Sequence, residues 1–195
     1  TEAGYLYRNV PARYGGSEQQ PDFLKAEIIR EEFDRAVAPM ELRVGRMTDL
    51  VQTLLAWGTE AQKDFFIPKS LTGEFVWSQG YSEPGAGSDL ASLRTRAELI
   101  DGHWTINGQK TWSSFAHLAT HMFMLVRTER DQALHSGISY LLVDLRQSGI
   151  TIRPIKQING ESQFNEVFFE NALAPADWIV GRRGQGWEVS RTTLK

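Results

Sequence analysis

The 195-residue chain contains no cysteine. That excludes a disulfide framework, thiolate catalysis and any Cys-ligated metal. It fits a reducing compartment, and the expected location is cytoplasmic. Long apolar runs are missing too: none approaches the roughly 20 residues that a bilayer span needs. The opening Thr1-Glu2-Ala3-Gly4-Tyr5 lacks the charged and apolar regions of a signal peptide. There is no excess of positive charge, since 21 Lys and Arg meet 24 Asp and Glu for a net charge of −3. A general nucleic-acid binder needs a basic stripe to displace counterions, so no nucleic-acid partner is expected. The four histidines, His103, His117, His121 and His135, stand without a carboxylate or thiol cluster. His117 and His121 have the spacing of a shared helix face, but strand-like residues follow, and no metal is expected. No Gly-x-Ser-x-Gly elbow and no Walker A pattern occur. Gly85-Ala86-Gly87 is not a dinucleotide fingerprint, because Leu90 stands where the third glycine belongs.

Apolar residues make up 41% of the chain, enough for a sizeable core. The first third reads as helical. Pro21-Asp22 opens a pattern in which Ala26, Ile29, Phe33 and Ala36 recur at helical spacing, and Pro39 ends it. A second helix from Met40 places Val44, Met47, Val51 and Leu54 on one face, up to Gly58. Thr59 with Gln62 forms a capping box for a third. The stripe Phe33, Met47, Trp57, Phe65 and Phe66 reads as core. Near Gly73-Glu74 the periodicity changes to that of strands. Candidates are 75–81, 93–100, 103–106, a run from Gln109, 122–126, 138–143, 150–152 and 167–169. Asp101-Gly102 and Asn107-Gly108 are hairpin signals, because both central residues tolerate positive φ. Arg127 to Asp131 reads as a solvated loop. The expected fold class is therefore α+β: helices first, then an antiparallel β-sandwich or barrel.

Two segments carry chemistry. Gln79-Gly80-Tyr81-Ser82-Glu83-Pro84-Gly85-Ala86-Gly87-Ser88-Asp89-Leu90 runs from a strand into a Gly-rich loop. Glycine lets backbone approach a bulky ligand, and exposed N–H groups make a nest for an anion. The plainer reading is a type II turn at Pro84-Gly85. Downstream, Ile106-Asn107-Gly108-Gln109-Lys110-Thr111-Trp112-Ser113-Ser114 sets a tryptophan beside three hydroxyls. A flat aromatic face with short donors suits a planar, polar-edged heterocycle. A Trp after a hairpin is also commonly a core anchor.

These two segments together resemble the flavin-binding signature of the acyl-CoA dehydrogenases. The resemblance extends through Val10-Pro11-Ala12-Arg13-Tyr14-Gly15-Gly16, Leu54 to Lys63, Phe164 to Phe169 and Gly184-Gln185-Gly186-Trp187. It implies FAD as cofactor, lined by Gln79, Tyr81, Ser82, Gly87 and Ser88, with Trp112, Ser113 and Ser114 bordering the ring. Ser82 and Ser114 stand where many family members carry Thr, which keeps the hydroxyl. Ser88 matches a position that contacts the CoA arm. The implied reaction is oxidation of an acyl-CoA to the trans-2-enoyl-CoA, with electrons passed to an electron-transfer flavoprotein. The implied assembly of the full-length parent is a homodimer or homotetramer.

In that family the α-proton base is a glutamate on helices beyond the β-domain, so no catalytic residue is expected in this chain. Glu83 and Glu166 read as structural. The resemblance divides the chain into 1–73, the distal part of an N-terminal helical domain; 74–183, the middle β-domain; and 184–195, the start of a C-terminal helical domain otherwise missing. It makes the chain a fragment that is inactive alone. A flavin oxidase or monooxygenase on the same scaffold, or a non-catalytic acyl-CoA or flavin-binding module, are the alternatives.

Overall fold

The computed structural model describes residues 4–39, 47–129, 132 and 135–194. Met40, Val44, Arg130 and Asp131, and the side chain of Met47, lie outside the described residues. Helix α1 (Phe23–Arg35) starts where Asp22 accepts a hydrogen bond from the Lys25 N–H at 2.9 Å, a side-chain cap on an otherwise orphan donor. Its apolar stripe is not core: Ile29 is buried, Phe33 half-buried, and Ala26 and Ala36 exposed. The described residues cover that face only around Ile29. Helix α2 (Met47–Trp57) buries Leu50, Val51 and Leu54. Helix α3 (Glu60–Leu71) begins with both bonds of the Thr59–Gln62 capping box. Phe66 is 1% exposed, but its neighbour Phe65 is 45% exposed and leaves the expected core stripe. The Gln62 amide also donates to the carbonyls of Asp177 and Ile179 at 2.6 and 2.7 Å, tying α3 to the β-domain.

The remaining elements are strands β1 (Trp77–Gly80), β2 (Arg96–Ile100), β3 (His103–Ser114), β4 (His121–Arg127), β5 (Ile138–Asp144), β6 (Ile150–Ile155), β7 (Phe164–Pro175) and β8 (Ile179–Val180), then helix α4 (Gly186–Thr193). They form one eight-stranded sheet in the order β6-β7-β3-β2-β4-β5-β8, with β1 on β4. The sheet is mostly antiparallel; β1–β4 and the short β2–β4 contact are parallel. The apolar runs of β4 and β5 are continuous because both faces are buried. Phe123, Leu125, Tyr140 and Leu142 face a core shared with the helices. Met122, Met124, Leu141 and Val143 face Trp104, Ile106, Val167 and Phe169 of β3 and β7 in a second core. Helix α4 closes the first core, with Thr193 Oγ1 2.8 Å from Thr53 Oγ1 and the Trp57 indole donating to Thr192 Oγ1 at 2.8 Å.

Asp101-Gly102 forms the expected tight hairpin, with φ of 49° and 78°. Asn107-Gly108 does not. Strand β3 runs straight through it, and Asn107 instead exchanges bonds with Asn171 on β7. Gly108 sits at φ 148°, where an added Cβ would lie 2.6 Å from Thr95 Oγ1. Its glycine serves a bulge and the close passage of the Thr95 segment, not a chain reversal. Among the described residues no helix is long and apolar enough to cross a membrane.

Candidate functional site

The two motif segments lie side by side. The Gly-rich loop leaves the end of β1, and the Trp segment is the second half of β3. The Thr111 N–H donates to the Ser82 carbonyl at 2.9 Å. The Ser78 hydroxyl donates to the Ser114 carbonyl at 2.8 Å. Between them sits an ion pair that sequence reasoning missed. The Lys110 ammonium, wholly buried, donates to Glu83 Oε1 at 2.7 Å and to the Tyr81 carbonyl at 3.1 Å. Glu83 also accepts from the backbone N–H groups of Arg94 and Thr95, at 2.6 and 2.9 Å. Burial pulls Lys110 down to about 8, partly countered by Glu83. Burial pushes the Glu83 carboxyl up, but Lys110 and the donors of Thr95 and Arg94 outweigh it and leave it below the usual range. The structural role expected for Glu83 is therefore visible as three contacts to its carboxylate. A signal for Lys110 existed: it has the same inward parity on β3 as Trp104 and Ile106, where a lysine demands a partner.

The loop itself turns tightly, with Glu83 and Ala86 exchanging backbone bonds at 2.8 and 3.1 Å. It is not a type II turn, because Gly85 lacks the positive φ that such a turn requires. Neither Gly85 nor Gly87 takes positive φ, and an added Cβ at either meets nothing within 4 Å. Nothing among the described residues asks for glycine at these two positions. The open space beyond them leaves room for something else to approach the backbone. Gly87 and Ser88 are exposed, and among the described residues their N–H groups find no acceptor.

Trp112 is presented by strain. Thr111 and Trp112 together face the single residue Glu166 across β3 and β7, a bulge that re-aims the side chain. Trp112 takes φ 58°, a conformation that costs a bulky residue about 1 kcal/mol. Its ring is 59% exposed and touches Phe164 edge-on, with centroids 6.1 Å apart. Trp112 is thus no core anchor but a large apolar plate held out of the sheet. Ser82 and Ser114 are half-buried beside it. Ser113 is fully buried, and among the described residues its Oγ has no partner. Asn165, also buried, donates to the Ser113 carbonyl at 2.9 Å and meets His117 Nδ1 at 2.9 Å. His117 lies in the turn before β4 and His121 begins that strand, so they share no helix face.

Gln79 is half-buried on β1 and Ser88 is exposed on the loop. The Tyr81 side chain is 7% exposed and packs edge-on against Phe123 and Tyr140. Burial pushes its phenol up to about 12. Ser82, Gly87, Ser88, Trp112 and Ser114 are thus each at least partly accessible, while Tyr81 and Ser113 are buried.

The chain matches the family described as acyl-CoA dehydrogenase, N-terminal domain, over residues 1–74, and acyl-CoA dehydrogenase, middle domain, over residues 78–172. Acyl-CoA dehydrogenase IpdE1 of Mycobacterium tuberculosis is 51% identical over 164 residues, covering 84% of this chain and 43% of that protein. Acyl-CoA dehydrogenase FadE34 of the same organism is 44% identical over 194 residues, covering 99% of this chain and 27% of its own length. A solved structure described as a variant of the Tcur3481-Tcur3483 steroid ACAD superposes with a TM-score of 0.86 at 31% identity, covering 98% of this chain and 49% of that one. The chain therefore spans half the length of these relatives or less.

Proposed function

We propose that this chain, which belongs to the acyl-CoA dehydrogenase family, supplies the flavin-holding half of an enzyme that oxidises an acyl-CoA to the trans-2-enoyl-CoA. The observation that carries the reading is the exposed Trp112 ring, held out at a strained φ beside a loop whose glycines serve no need among the described residues. The donor set fits a planar ring with polar edges. Trp112 covers its apolar face, while the Ser82 and Ser114 hydroxyls and the unpaired N–H groups of Gly87 and Ser88 meet polar atoms. Preorganised donors of this kind stabilise negative charge without reorganising. Bound FAD supplies the two-electron acceptor that the chain's own side chains lack. Ser88, exposed on the loop, is placed to reach the CoA arm as well.

No carboxylate of the described site is available as the α-proton base. Glu83 is committed to Lys110 and two backbone donors, and Glu166 Oε1 accepts from the Gln109 amide at 3.0 Å. The base belongs to the rest of the protein, as does much of the acyl pocket. The full-length enzyme is proposed to be a homodimer or homotetramer that hands its electrons to an electron-transfer flavoprotein. The similarity to a solved steroid ACAD supports a polycyclic acyl group over a straight chain. The test is anaerobic mixing of the purified full-length protein with straight-chain, branched and polycyclic acyl-CoAs. Loss of the oxidised flavin band together with one enoyl-CoA per chain supports the reading. Rapid turnover with dioxygen alone, releasing peroxide, would assign an oxidase instead.

A further inference from the structure

The Glu83–Lys110 pair costs more than the fold asks for. Taking an ammonium fully out of water carries a penalty of several kcal/mol, and an apolar pair of similar volume joins two layers without it. What an apolar pair lacks is the ability to fix backbone groups. Lys110 holds the Tyr81 carbonyl at the start of the loop. Glu83 holds the N–H groups of Arg94 and Thr95 at its exit. Both ends of the loop are thereby fastened to β3, two residues before Trp112. Between those fastenings, among the described residues, 84 to 89 are held by the Glu83–Ala86 turn, the bonds from Ser92 to the Asp89 carbonyl and the burial of Ala86 in the first core. The ion pair and the Thr111 N–H bond to the Ser82 carbonyl together fasten the loop to the strand that carries the indole.

We infer that Glu83 and Lys110 are positioning residues for the flavin site, clamping the Gly-rich loop against the strand that carries Trp112; this rests on the flavin reading above. The pair is insulated from other charges. Arg94 touches Glu83 through its backbone only. Tyr81 contributes its carbonyl to the pair while its phenol packs into the core. Glu166 on β7 is engaged by Gln109. Burial brings Lys110 to about 8, so the ammonium is charged at neutral pH and loses its proton as the pH rises through that value. Deprotonation leaves the Glu83 carboxylate without its counterion, and the clamp loosens on the alkaline side.

The experiment measures FAD affinity of the full-length protein by flavin fluorescence between pH 6.5 and 9.5. The wild type is expected to lose affinity about tenfold from pH 7 to 9.5, the worth of one charge-assisted bond. The paired change Glu83→Leu with Lys110→Met is expected to keep the fold but bind about tenfold more weakly at pH 7, with a flat profile. Glu83→Gln serves as a second variant that keeps the shape, with weakened binding and a flattened profile expected. Wild-type affinity and an unchanged pH profile in a folded variant would overturn the inference while leaving the flavin reading intact. A flat wild-type profile would overturn it as well. A wild type that binds no FAD at any pH would remove the flavin reading and the inference with it.

Discussion

His121 gives the sharpest test of the energetics. It is 1% exposed at the head of β4. Its ring lies 4.0 Å from that of Phe75, 5.0 Å from Trp77 and 6.0 Å from Trp178. Thr120 Oγ1 meets Nδ1 at 2.8 Å, and Asp144 stands 3.9 Å from Nε2. Burial among aromatic rings lowers the imidazole to about 4, against an ordinary value of 6.5, and Asp144 recovers only part of this. The folded state thus keeps His121 neutral where the unfolded chain protonates it. The sign follows from proton counting: between those two values the unfolded state binds more protons, so stability falls as the pH drops from 6.5 towards 4. A shift of that size corresponds to about 3 kcal/mol. His121→Phe fills the same cage without a titrating group and gives up the Thr120 bond, worth about 1 kcal/mol. Urea unfolding of the full-length wild type and variant should therefore place the wild type slightly ahead at pH 7. It should fall behind by about 2 kcal/mol near pH 4. Parallel stability curves for the two proteins from pH 7 to 4 would refute the reasoning.

Four further outcomes are expected. Gly186→Ala drives a Cβ to within 2.3 Å of the Ser139 carbonyl carbon, so it should cost about 2 kcal/mol or more by pushing α4 off β5, read as a lowered urea midpoint. Asn165→Ala leaves the buried Ser113 carbonyl without its side-chain donor, which should cost about 1–3 kcal/mol, and should weaken FAD binding because that carbonyl adjoins Trp112. Glu83 is held below its usual range, so its contribution is present above the ordinary carboxylate value and is lost as the pH falls below it; in Glu83→Gln, unfolding curves should lose that part of the acid slope. In residues 1–195 alone, hydrogen exchange should be slow in β4 and β5, whose side chains are buried on both faces, and fast throughout α1, where Phe23 and Leu24 are 92% and 73% exposed; slow exchange in α1 of a dilute monomer would show that the helix needs no partner outside this chain.

Much of the fold was legible because period and punctuation agreed. The capping box at Thr59–Gln62, the Asp101-Gly102 turn and the unbroken apolar runs of β4 and β5 each state their structure locally. Asn107-Gly108 misled because the hairpin signal and the bulge use the same residues. What decided between them was the Thr95 segment crossing Gly108, a contact twelve or more residues away in sequence. The helical stripe of α1 had the right period, but periodicity says only that a face wants covering; among the described residues this one is covered at Ile29 and left open at Ala26 and Ala36. At the site, the residue types were readable and their directions were not. Alternation along β3 cannot reveal that a bulge swings Trp112 outward and leaves Ser113 buried with its hydroxyl unpaired among the described residues. Lys110 carried one signal, its inward parity on β3, and the hairpin expected at Asn107-Gly108 broke that parity. A lysine reads as surface until its partner, 27 positions earlier in the chain, is known to lie beneath the same loop.

The central claim is that the loop at Gly85–Ser88 and the Trp112 plate together hold a flavin. The most direct measurement is the flavin content of purified full-length protein, by visible absorbance after matched reconstitution with FAD, for wild type and Gly87→Val. An added Cβ at Gly87 meets nothing within 4 Å and relieves no special backbone angle, so the variant should fold with an unfolding midpoint near that of the wild type. Its branched side chain occupies the space through which the cofactor approaches the backbone. The account predicts a yellow wild type with close to one FAD per chain and a folded, nearly colourless Gly87→Val. A folded Gly87→Val that keeps its full flavin complement would contradict it.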